Sequence, residues 1–236
     1  MKIYSLQDFI KYLDANGELV RIKTEVDAKL EVTEISIRAL QQGMPALLFE
    51  NVKGAKFPLA MNVLASDKRI ELALGKHPDQ LGEELITFME DAMPPNPKVF
   101  FKHPGTTRRI ISAIPRTTFR STSQEVVSQP NLDDLPVITS WPDDGGPFIT
   151  LPQVFTYDPR DGKRNLGMYR MQVFDNQTTG MHWQIQKGGG FHFYQAKKMG
   201  KDFKIAVALG TDPALLLATV AALPEGIDEV MFSGFL

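Results

Sequence analysis

Residues 165–190, NLGMYRMQVFDNQTTGMHWQIQKGGG, combine a strand pattern with polar groups that a plain core hairpin does not need. Side chains alternate over residues 168–173, so Arg170 is expected on a polar face and Tyr169 and Met171 on a packed face. The stretch therefore predicts a β-hairpin strand that presents a guanidinium on its polar side.

The second half of this stretch predicts the turn and the returning strand of the hairpin. Residues 175–180, DNQTTG, have turn chemistry, and residues 181–186 follow as the return strand. Lys187 then precedes three glycines, where backbone N–H groups can approach an anion without a Cβ in the way. A guanidinium, a lysine and a glycine-lined turn on one hairpin indicate a phosphate-bearing ligand.

Composition is that of a globular protein and excludes several function classes. The 236 residues allow two modest domains or one large one. A formal net charge of −2 gives no electrostatic argument for nucleic acid as a partner. Cysteine is absent, which excludes disulfides and thiolate chemistry. The cytoplasm is the expected compartment, with peripheral contact at a membrane as the alternative.

The first part of the chain predicts a mixed α/β domain. Helices are expected from residue 6 to Gly17 and over 32–40, 67–74 and 79–93, and strands over 19–26, 46–49 and 58–63. The proline-rich residues 93–104, MPPNPKVFFKHP, predict a linker or a crossover. The expected domains are therefore residues 1–115 and 116–236.

The second part predicts strands joined by long loops. Strands are expected over 148–157 and 203–209, a hairpin turn over 158–162, and helices over 191–199 and 214–222, the last one buried. Asp212 is expected to cap the helix over 214–222, and Asp228 a last short element that holds Glu229. The apolar ending VMFSGFL leads us to expect a fragment, or a tail that is buried in a partner.

Each candidate site residue also has a plain structural interpretation. Arg170 could form a rim ion pair, Trp183 could be packing, and Asn165 could be a turn residue. His182 alone is a weak signal, because structural histidines are common. Glu229 lies among apolar residues, where a carboxylate needs a cation or a proton. From the residues alone, the prediction stops at an anion-binding site on a β-hairpin.

Four blocks of the sequence closely resemble the UbiD family of decarboxylases in their order and spacing. The blocks are LPVITSWPDDGGPFIT (135–150), NLGMYRMQV (165–173), TGMHWQIQKGGG (179–190) and LPEGIDEVMFSGFL (223–236). The N-terminal α/β region also looks like the leading domain of that family, so the resemblance covers essentially the whole chain.

The resemblance implies an α+β fold, with a mixed α/β domain followed by a split β-barrel related to flavin-reductase barrels. It implies prenylated FMN held partly through a divalent metal, usually Mn²⁺ (or Mg²⁺), and often K⁺. The implied reaction is the reversible, non-oxidative decarboxylation of an aromatic or α,β-unsaturated acid, and the implied pathway is quinone biosynthesis. A flavin prenyltransferase would supply the cofactor, and a homo-oligomer is expected.

The resemblance also implies roles for individual residues. Asn165 and Glu229 match metal ligands, Arg170 matches a catalytic arginine, and the implied cofactor contacts are Met168, Tyr169, Arg170, His182, Trp183, Gln184, Lys187 and Gly188. An amide oxygen and a carboxylate are hard ligands suited to Mn²⁺ or Mg²⁺. A metal that bridges a cofactor phosphate would give Glu229 its missing cation.

Two departures from the family pattern leave alternatives open. Lys187 stands where some members carry a histidine ligand, which favours the polyprenyl-hydroxybenzoate and menaquinone-precursor branch. The catalytic acid of the family lies beyond Leu236, so we expect little or no turnover from these 236 residues alone. A flavin-binding or assembly module and an ordinary FMN oxidoreductase are the competing interpretations. The pair Asn165 and Glu229 argues against the oxidoreductase, because ordinary flavin-reductase barrels need no metal.

Overall fold

The computed structural model describes residues 3–93, 96–223 and 227–236, which form a mixture of helices and small sheets. The helices are α1 (Leu6–Ala15), α2 (Glu31–Gln41), α3 (Asp67–Leu74), α4 (Pro78–Ala92), α5 (Val99–Lys102), α6 (Pro104–Ser112), α7 (Gly188–Lys198), α8 (Pro213–Val220) and α9 (Glu229–Phe235). The strands are β1 (Leu19–Ile22), β2 (Ala46–Phe49), β3 (Leu59–Met61), β4 (Phe148–Ile149), β5 (Gln153–Tyr157), β6 (Arg164–Met168), β7 (Met171–Val173), β8 (Thr179–Met181) and β9 (Ala206–Ala208).

The first sheet has the order β1-β2-β3, with β1 parallel and β3 antiparallel to β2. The central strand β2 is buried along its whole length because helices and loops cover both of its faces. Leu47 and Phe49 pack with Val32 of α2 in one core cluster. Phe9 and Leu13 of α1 pack against Ala46 in a second cluster. The mixed α/β architecture predicted for this region is confirmed.

The linker or crossover predicted over residues 93–104 contains helical residues in the part that the structure describes. Residues 99–102 form α5, and Pro104 begins α6. Proline is tolerated there because the first turn of a helix has no intrahelical partner for its N–H groups. Phe88 and Phe100 contact each other with ring centroids 6.0 Å apart, which packs α5 onto α4. The boundary between residues 115 and 116 stays a prediction.

The strand predicted over residues 148–157 is two strands in two different sheets. β4 belongs to a sheet of order β4-β7-β8, and β5 belongs to a sheet of order β6-β5-β9. Leu151 and Pro152 separate them, which agrees with the inability of proline to donate to a sheet ladder. The turn predicted over residues 158–162 is confirmed, and it joins β5 to β6 with Asp158 N donating to Lys163 O.

The single hairpin predicted over residues 165–190 is likewise divided. Met168 ends β6 and pairs with Gln153, whereas Met171 begins β7 and pairs with Ile149 and Met181. The chain therefore changes sheets at residues 169–170. The predicted return strand is confirmed only for its first part, where β8 pairs with β7. Residues 182–187 form an irregular loop rather than a strand.

The described strands form three open sheets of three strands each. The α+β class is therefore confirmed, whereas the split barrel is not shown in the described part of the chain. The helix predicted over 191–199 is confirmed but begins earlier, at Gly188.

The two helices near the end of the chain begin at the predicted caps. Asp212 accepts from Leu215 N at 3.0 Å, and Asp228 accepts from Met231 N at 2.9 Å. α8 is not fully buried as predicted, because Val220 is 58% exposed. The sequence Pro224–Glu225–Gly226 predicts a break after this helix, and these residues lie outside the described part of the chain.

The two sequence regions contact each other directly. Leu6 N donates to Gly210 O at 3.1 Å, and Thr139 N donates to Ala28 O at 3.2 Å. Ile138 lies in the core cluster that the first sheet forms with α2. None of the described helices is both long and apolar enough to cross a membrane.

Candidate cofactor and metal site

The site is built around β6, an edge strand that carries Asn165 opposite Thr156 of β5. The Oδ1 atom of Asn165 packs against Gly188, the first residue of α7. A Cβ atom at Gly188 would lie 2.0 Å from Asn165 Oδ1, far inside any allowed contact. Only glycine therefore lets the start of α7 approach this oxygen.

Glu229 is brought to the same strand from the far end of the chain. Leu166 N, on the open edge of β6, donates to Glu229 Oε2 at 3.2 Å. The preceding Asp228 forms a bidentate ion pair with Arg164, with Nη2 2.7 Å from both carboxylate oxygens. These contacts place Glu229 next to the strand position that carries Asn165. The Glu229 carboxylate thus reaches the backbone of the residue that follows Asn165.

The electrostatics of Glu229 fit a site for a cation. Burial raises the pKa of this carboxyl group, and the neighbouring Asp228 raises it further. The hydrogen bonds from the backbone of Glu229 and of Leu166, together with the charge of Arg164, lower the pKa but do not cancel the effect of burial. The carboxylate thus lies in surroundings that disfavour its charge, which a divalent ion would stabilise.

Few side chains at this place could bind a metal ion. Among residues 3–93, 96–223 and 227–236, no group of three or more His, Cys, Asp or Glu side chains is arranged to hold a metal ion. Asn165 and Glu229 offer one amide oxygen and one carboxylate, which are oxygen donors of the kind that Mn²⁺ and Mg²⁺ accept. A metal at this place would need further oxygens, which a phosphate group and water provide.

Tyr169 is the buried anchor between β6 and α7. Its hydroxyl oxygen accepts from Gly189 N at 2.9 Å, and its ring lies against Gly167 and Gly189. Trp183 packs against the Tyr169 ring with centroids 5.0 Å apart, and it also stacks on Phe193. The contacts of Trp183 are therefore those of a packing residue. Tyr169 is only 4% exposed.

Close packing explains two of the three glycines that we interpreted as an anion-binding turn. A Cβ at Gly190 would lie 2.3 Å from the Gln184 carbonyl oxygen, and one at Gly189 would lie 2.7 Å from the Trp183 ring. The N–H of Gly189 is also engaged by Tyr169. The glycines therefore form the first turn of a helix rather than an open turn, and only Gly188 faces a predicted ligand group.

The remaining candidates lie on the solvent side of these elements. Arg170 is exposed, and its guanidinium lies over the Phe148 ring, 5.0 Å from the centroid. His182 is exposed, and its backbone N–H donates to Arg170 O at 3.2 Å. Lys187 is exposed at the N-cap of α7. The rim ion pair considered for Arg170 is not formed with any described residue.

Two further candidates flank this group. Met168 is half-buried at the end of β6, opposite the buried Gln153. Gln184 has an exposed side chain, and its carbonyl accepts from Lys187 N at 3.1 Å. The candidates therefore line two edges of one region, the start of α7 and the crossing from β6 to β7.

Sequence reasoning missed a buried polar row behind Asn165. Asn165 Nδ2 donates to Thr156 Oγ1 at 3.4 Å, and Thr156 Oγ1 lies 2.9 Å from His192 Nδ1. His192 Nε2 in turn lies 3.9 Å from Asp158 Oδ2. The only sequence signal was the position of His192, four residues after Gly188 and so on the same face of the helix.

Two family models match this chain. Residues 116–236 match the family described as the 3-octaprenyl-4-hydroxybenzoate carboxy-lyase Rift-related domain, UbiD. Residues 10–89 match the 3-octaprenyl-4-hydroxybenzoate carboxy-lyase N-terminal domain. A protein of Chlamydia pneumoniae that is named as one subunit of a 4-hydroxybenzoate decarboxylase is 37% identical over 98% of this chain and 39% of its own length.

Two solved structures share the fold. An evolved dimeric form of the UbiD-class enzyme HmfF from Pelotomaculum thermopropionicum, in complex with prFMN, has a TM-score of 0.74 and 27% identity. The match covers 98% of this chain and 50% of that chain. The vanillic acid decarboxylase of Sedimentibacter hydroxybenzoicus has a TM-score of 0.80 and 25% identity over 100% of this chain and 49% of its own. The chain spans about half or less of the length of the proteins it matches.

Proposed function

Since the chain belongs to the UbiD family of carboxy-lyases, we propose that it forms the cofactor-binding part of a decarboxylase that uses prenylated FMN. The proposed reaction is the reversible, non-oxidative decarboxylation of an aromatic acid. The observation that supports the proposal is the hydrogen bond to Glu229 from Leu166 N, the neighbour of Asn165 on β6. The ion pair between Asp228 and Arg164 fixes the start of α9 on the same strand. No ordinary flavin oxidoreductase needs the pair of oxygen donors Asn165 and Glu229.

Asn165 and Glu229 would hold a divalent metal, Mn²⁺ or Mg²⁺, with the cofactor phosphate as a shared ligand. Lys187 stands at the N-cap of α7, where its ammonium group and the positive end of the helix both favour a phosphate. The cofactor, when bound, supplies the electron sink for breaking the bond to the carboxylate carbon. K⁺ would be a further ion of the site, as the family resemblance implies.

Arg170 would orient the carboxylate of the substrate. Its guanidinium is exposed and held over the Phe148 ring rather than in an ion pair with any described residue. A planar guanidinium binds a carboxylate through two parallel hydrogen bonds, which fixes the direction of the bond to be broken. Tyr169, Trp183 and Gly189 pack together and would keep this part of the site rigid.

The substrate class follows from the named relatives. One similar protein is named as part of a 4-hydroxybenzoate decarboxylase, and a similar structure is a vanillic acid decarboxylase. We therefore propose hydroxylated benzoic acids as the substrates, with quinone biosynthesis as the pathway. A flavin prenyltransferase would supply the cofactor, and the active form would be a cytoplasmic homo-oligomer.

The test is flavin binding with and without metal. The purified chain is titrated with FMN and with prenylated FMN, in Mn²⁺ or in excess chelator, and flavin fluorescence reports binding. We expect Mn²⁺ to be required for tight binding. Gly188→Ala should abolish this binding, because its Cβ would collide with Asn165 Oδ1.

Gly82→Ala is the matched control, since Gly82 lies exposed in α4 with no atom near its missing Cβ. It should bind flavin like the wild type and gain about 0.5–1 kcal/mol in unfolding free energy from helix propensity. Release of CO₂ from 4-hydroxybenzoate or vanillate by the loaded protein would support the reaction directly and would overturn the expectation of little or no turnover from these 236 residues. Chelator-insensitive FMN binding with hydride transfer from a nicotinamide would instead identify an ordinary oxidoreductase.

A further inference from the structure

A row of four polar side chains runs from the turn after β5 to the candidate metal ligand Asn165. Asp158 is followed by His192 of α7, then by Thr156 of β5, then by Asn165 of β6. Thr156 is fully buried, and His192 and Asp158 are nearly so. Buried polar groups of this kind are retained where each donor has a defined acceptor.

The charge at the far end of the row is fixed. The Arg160 guanidinium, which donates to both oxygens of Asp158, lowers the pKa of that carboxyl to about 2. Asp158 is therefore ionised at neutral pH. Burial lowers the pKa of His192, so its imidazole is neutral there.

A neutral imidazole carries its proton on one nitrogen only, and the neighbours select which one. His192 Nε2 faces the Asp158 carboxylate, 3.9 Å away, and a proton on Nε2 is favoured beside that charge. Nδ1 is then an acceptor. Because Nδ1 lies 2.9 Å from Thr156 Oγ1, the threonine hydroxyl must donate to it.

The direction of these hydrogen bonds reaches the amide of Asn165. A threonine hydroxyl that donates to His192 can only accept from Asn165, so the nearer atom of the amide must be Nδ2. The amide oxygen is thereby turned to the opposite side, where it packs against Gly188 at the start of α7. The other tautomer of His192 would allow the Asn165 amide to flip. The flipped amide would present its NH₂ group in place of the oxygen, and an NH₂ group cannot ligate a metal.

We propose that Asp158, His192 and Thr156 are positioning residues, which orient the Asn165 amide so that its oxygen faces the cofactor and metal. This inference rests on the proposed function, since it concerns the ligand geometry of the same site. The three residues would act on a bound metal only through Asn165. They act through one hydrogen bond to a ligand, and loss of such outer partners typically weakens metal binding by about 10–100-fold.

The first experiment measures Mn²⁺ binding to the chain in the presence of FMN, by the electron paramagnetic resonance signal of free Mn²⁺. Thr156→Val keeps the shape of the side chain but removes the hydroxyl, and Thr156→Ser keeps the hydroxyl. We expect Thr156→Val to raise the Kd for Mn²⁺ at least about tenfold and Thr156→Ser to stay within about twofold. His192→Asn, whose amide oxygen can replace Nδ1 as the acceptor, should bind more tightly than His192→Leu.

The second experiment needs no metal and no activity. The ¹⁵N chemical shifts of the His192 ring at neutral pH, assigned by comparison with His192→Asn, report which nitrogen carries the proton. We expect the Nε2–H tautomer in the wild-type chain and a mixture of tautomers in Asp158→Asn. This readout stands even if Thr156→Val fails to fold.

The outcomes separate the two proposals. The Nδ1–H tautomer in the wild type overturns the positioning role, and so does a Thr156→Val protein that binds Mn²⁺ as tightly as the wild type. A wild-type chain that binds FMN but no Mn²⁺ overturns the metal site of the proposed function, and this inference with it. Loss of Mn²⁺ binding in Thr156→Val, its retention in Thr156→Ser and an Nε2–H tautomer together support it.

Discussion

Glu229 illustrates at the residue scale how a functional group is held in a place that disfavours its charge. Burial raises its pKa, while Leu166 N and Arg164 offset only part of this effect. When folding raises the pKa of a carboxyl group, the protonated form of that group stabilises the folded state. This contribution to stability is fully present at a pH below the ordinary pKa of 4.5. It is lost as the pH rises through the folded-state pKa. Without metal, the folded chain is therefore less stable at pH 7 than it would be with a neutral side chain here.

Glu229→Gln should therefore raise the melting temperature of the metal-free chain at pH 7, because glutamine can still accept from Leu166 N but carries no charge. The gain should vanish below about pH 4.5, where the wild-type carboxyl is protonated too. The same variant should weaken Mn²⁺ binding at least about tenfold, since a charged ligand is lost. Melting curves across pH check the first part, and Glu25→Gln, at an exposed site, is the control. An equal or lower melting temperature of Glu229→Gln at pH 7 would contradict this account.

At the scale of single elements, α9 depends on its first residues for both its start and its place. Asp228 caps the helix by accepting from Met231 N and also pairs with Arg164 of β6. α9 packs against α8 and α6, and Phe235 is buried there. The cap thus couples the helix start to the strand that carries Asn165.

Asp228→Ala should lower the free energy of unfolding by about 1–2 kcal/mol, because it removes the N-cap. Asp228→Asn keeps a capping oxygen and loses only a partly exposed ion pair, so its cost should stay within about 1 kcal/mol. Asp228→Ala should also weaken Mn²⁺ binding, since Glu229 is then less firmly held on β6. Urea denaturation of the two variants measures the difference. Equal destabilisation by both would mean that the ion pair, not the cap, holds α9.

At the scale of the whole molecule, the two sequence regions share a core rather than standing apart. Ile138, which is 6% exposed, packs in the cluster formed by the first sheet and α2. Two backbone hydrogen bonds also join the two regions. Leu30 N donates to Thr139 O, and Thr139 N donates to Ala28 O. Shared burial of this kind makes the unfolding of the two regions cooperative.

Ile138→Ala should therefore destabilise the whole chain by about 2–4 kcal/mol, as expected for a cavity in a packed core. Far-ultraviolet circular dichroism follows the helices, and tryptophan fluorescence follows Trp141 and Trp183 in the second region. Both signals should change in one transition, and the variant should shift them together. Val126→Ala, at a position that is 86% exposed, should stay within about 0.5 kcal/mol. Two separate transitions would show that the regions unfold independently.

The sequence by itself determined the features that depend on neighbouring residues. The caps Asp212 and Asp228 begin helices because each side chain accepts from a backbone N–H three residues later. The buried strand at residues 46–49 was predictable from its short apolar run. The residues of the candidate site were found through four blocks whose order and spacing match a family, which needs no tertiary information.

Only the tertiary structure decided where strands end and which distant groups meet. The chain changes sheets at residues 169–170 because Met168 and Met171 pair with different partners, which no local pattern encodes. Glu229 lies beside Asn165 through contacts that span 63 residues between Leu166 and Glu229. His192 looks like any helix residue until folding places it 2.9 Å from Thr156. Such contacts form because packing brings remote surfaces together, whereas periodicity and caps report only on the nearest turns of the chain.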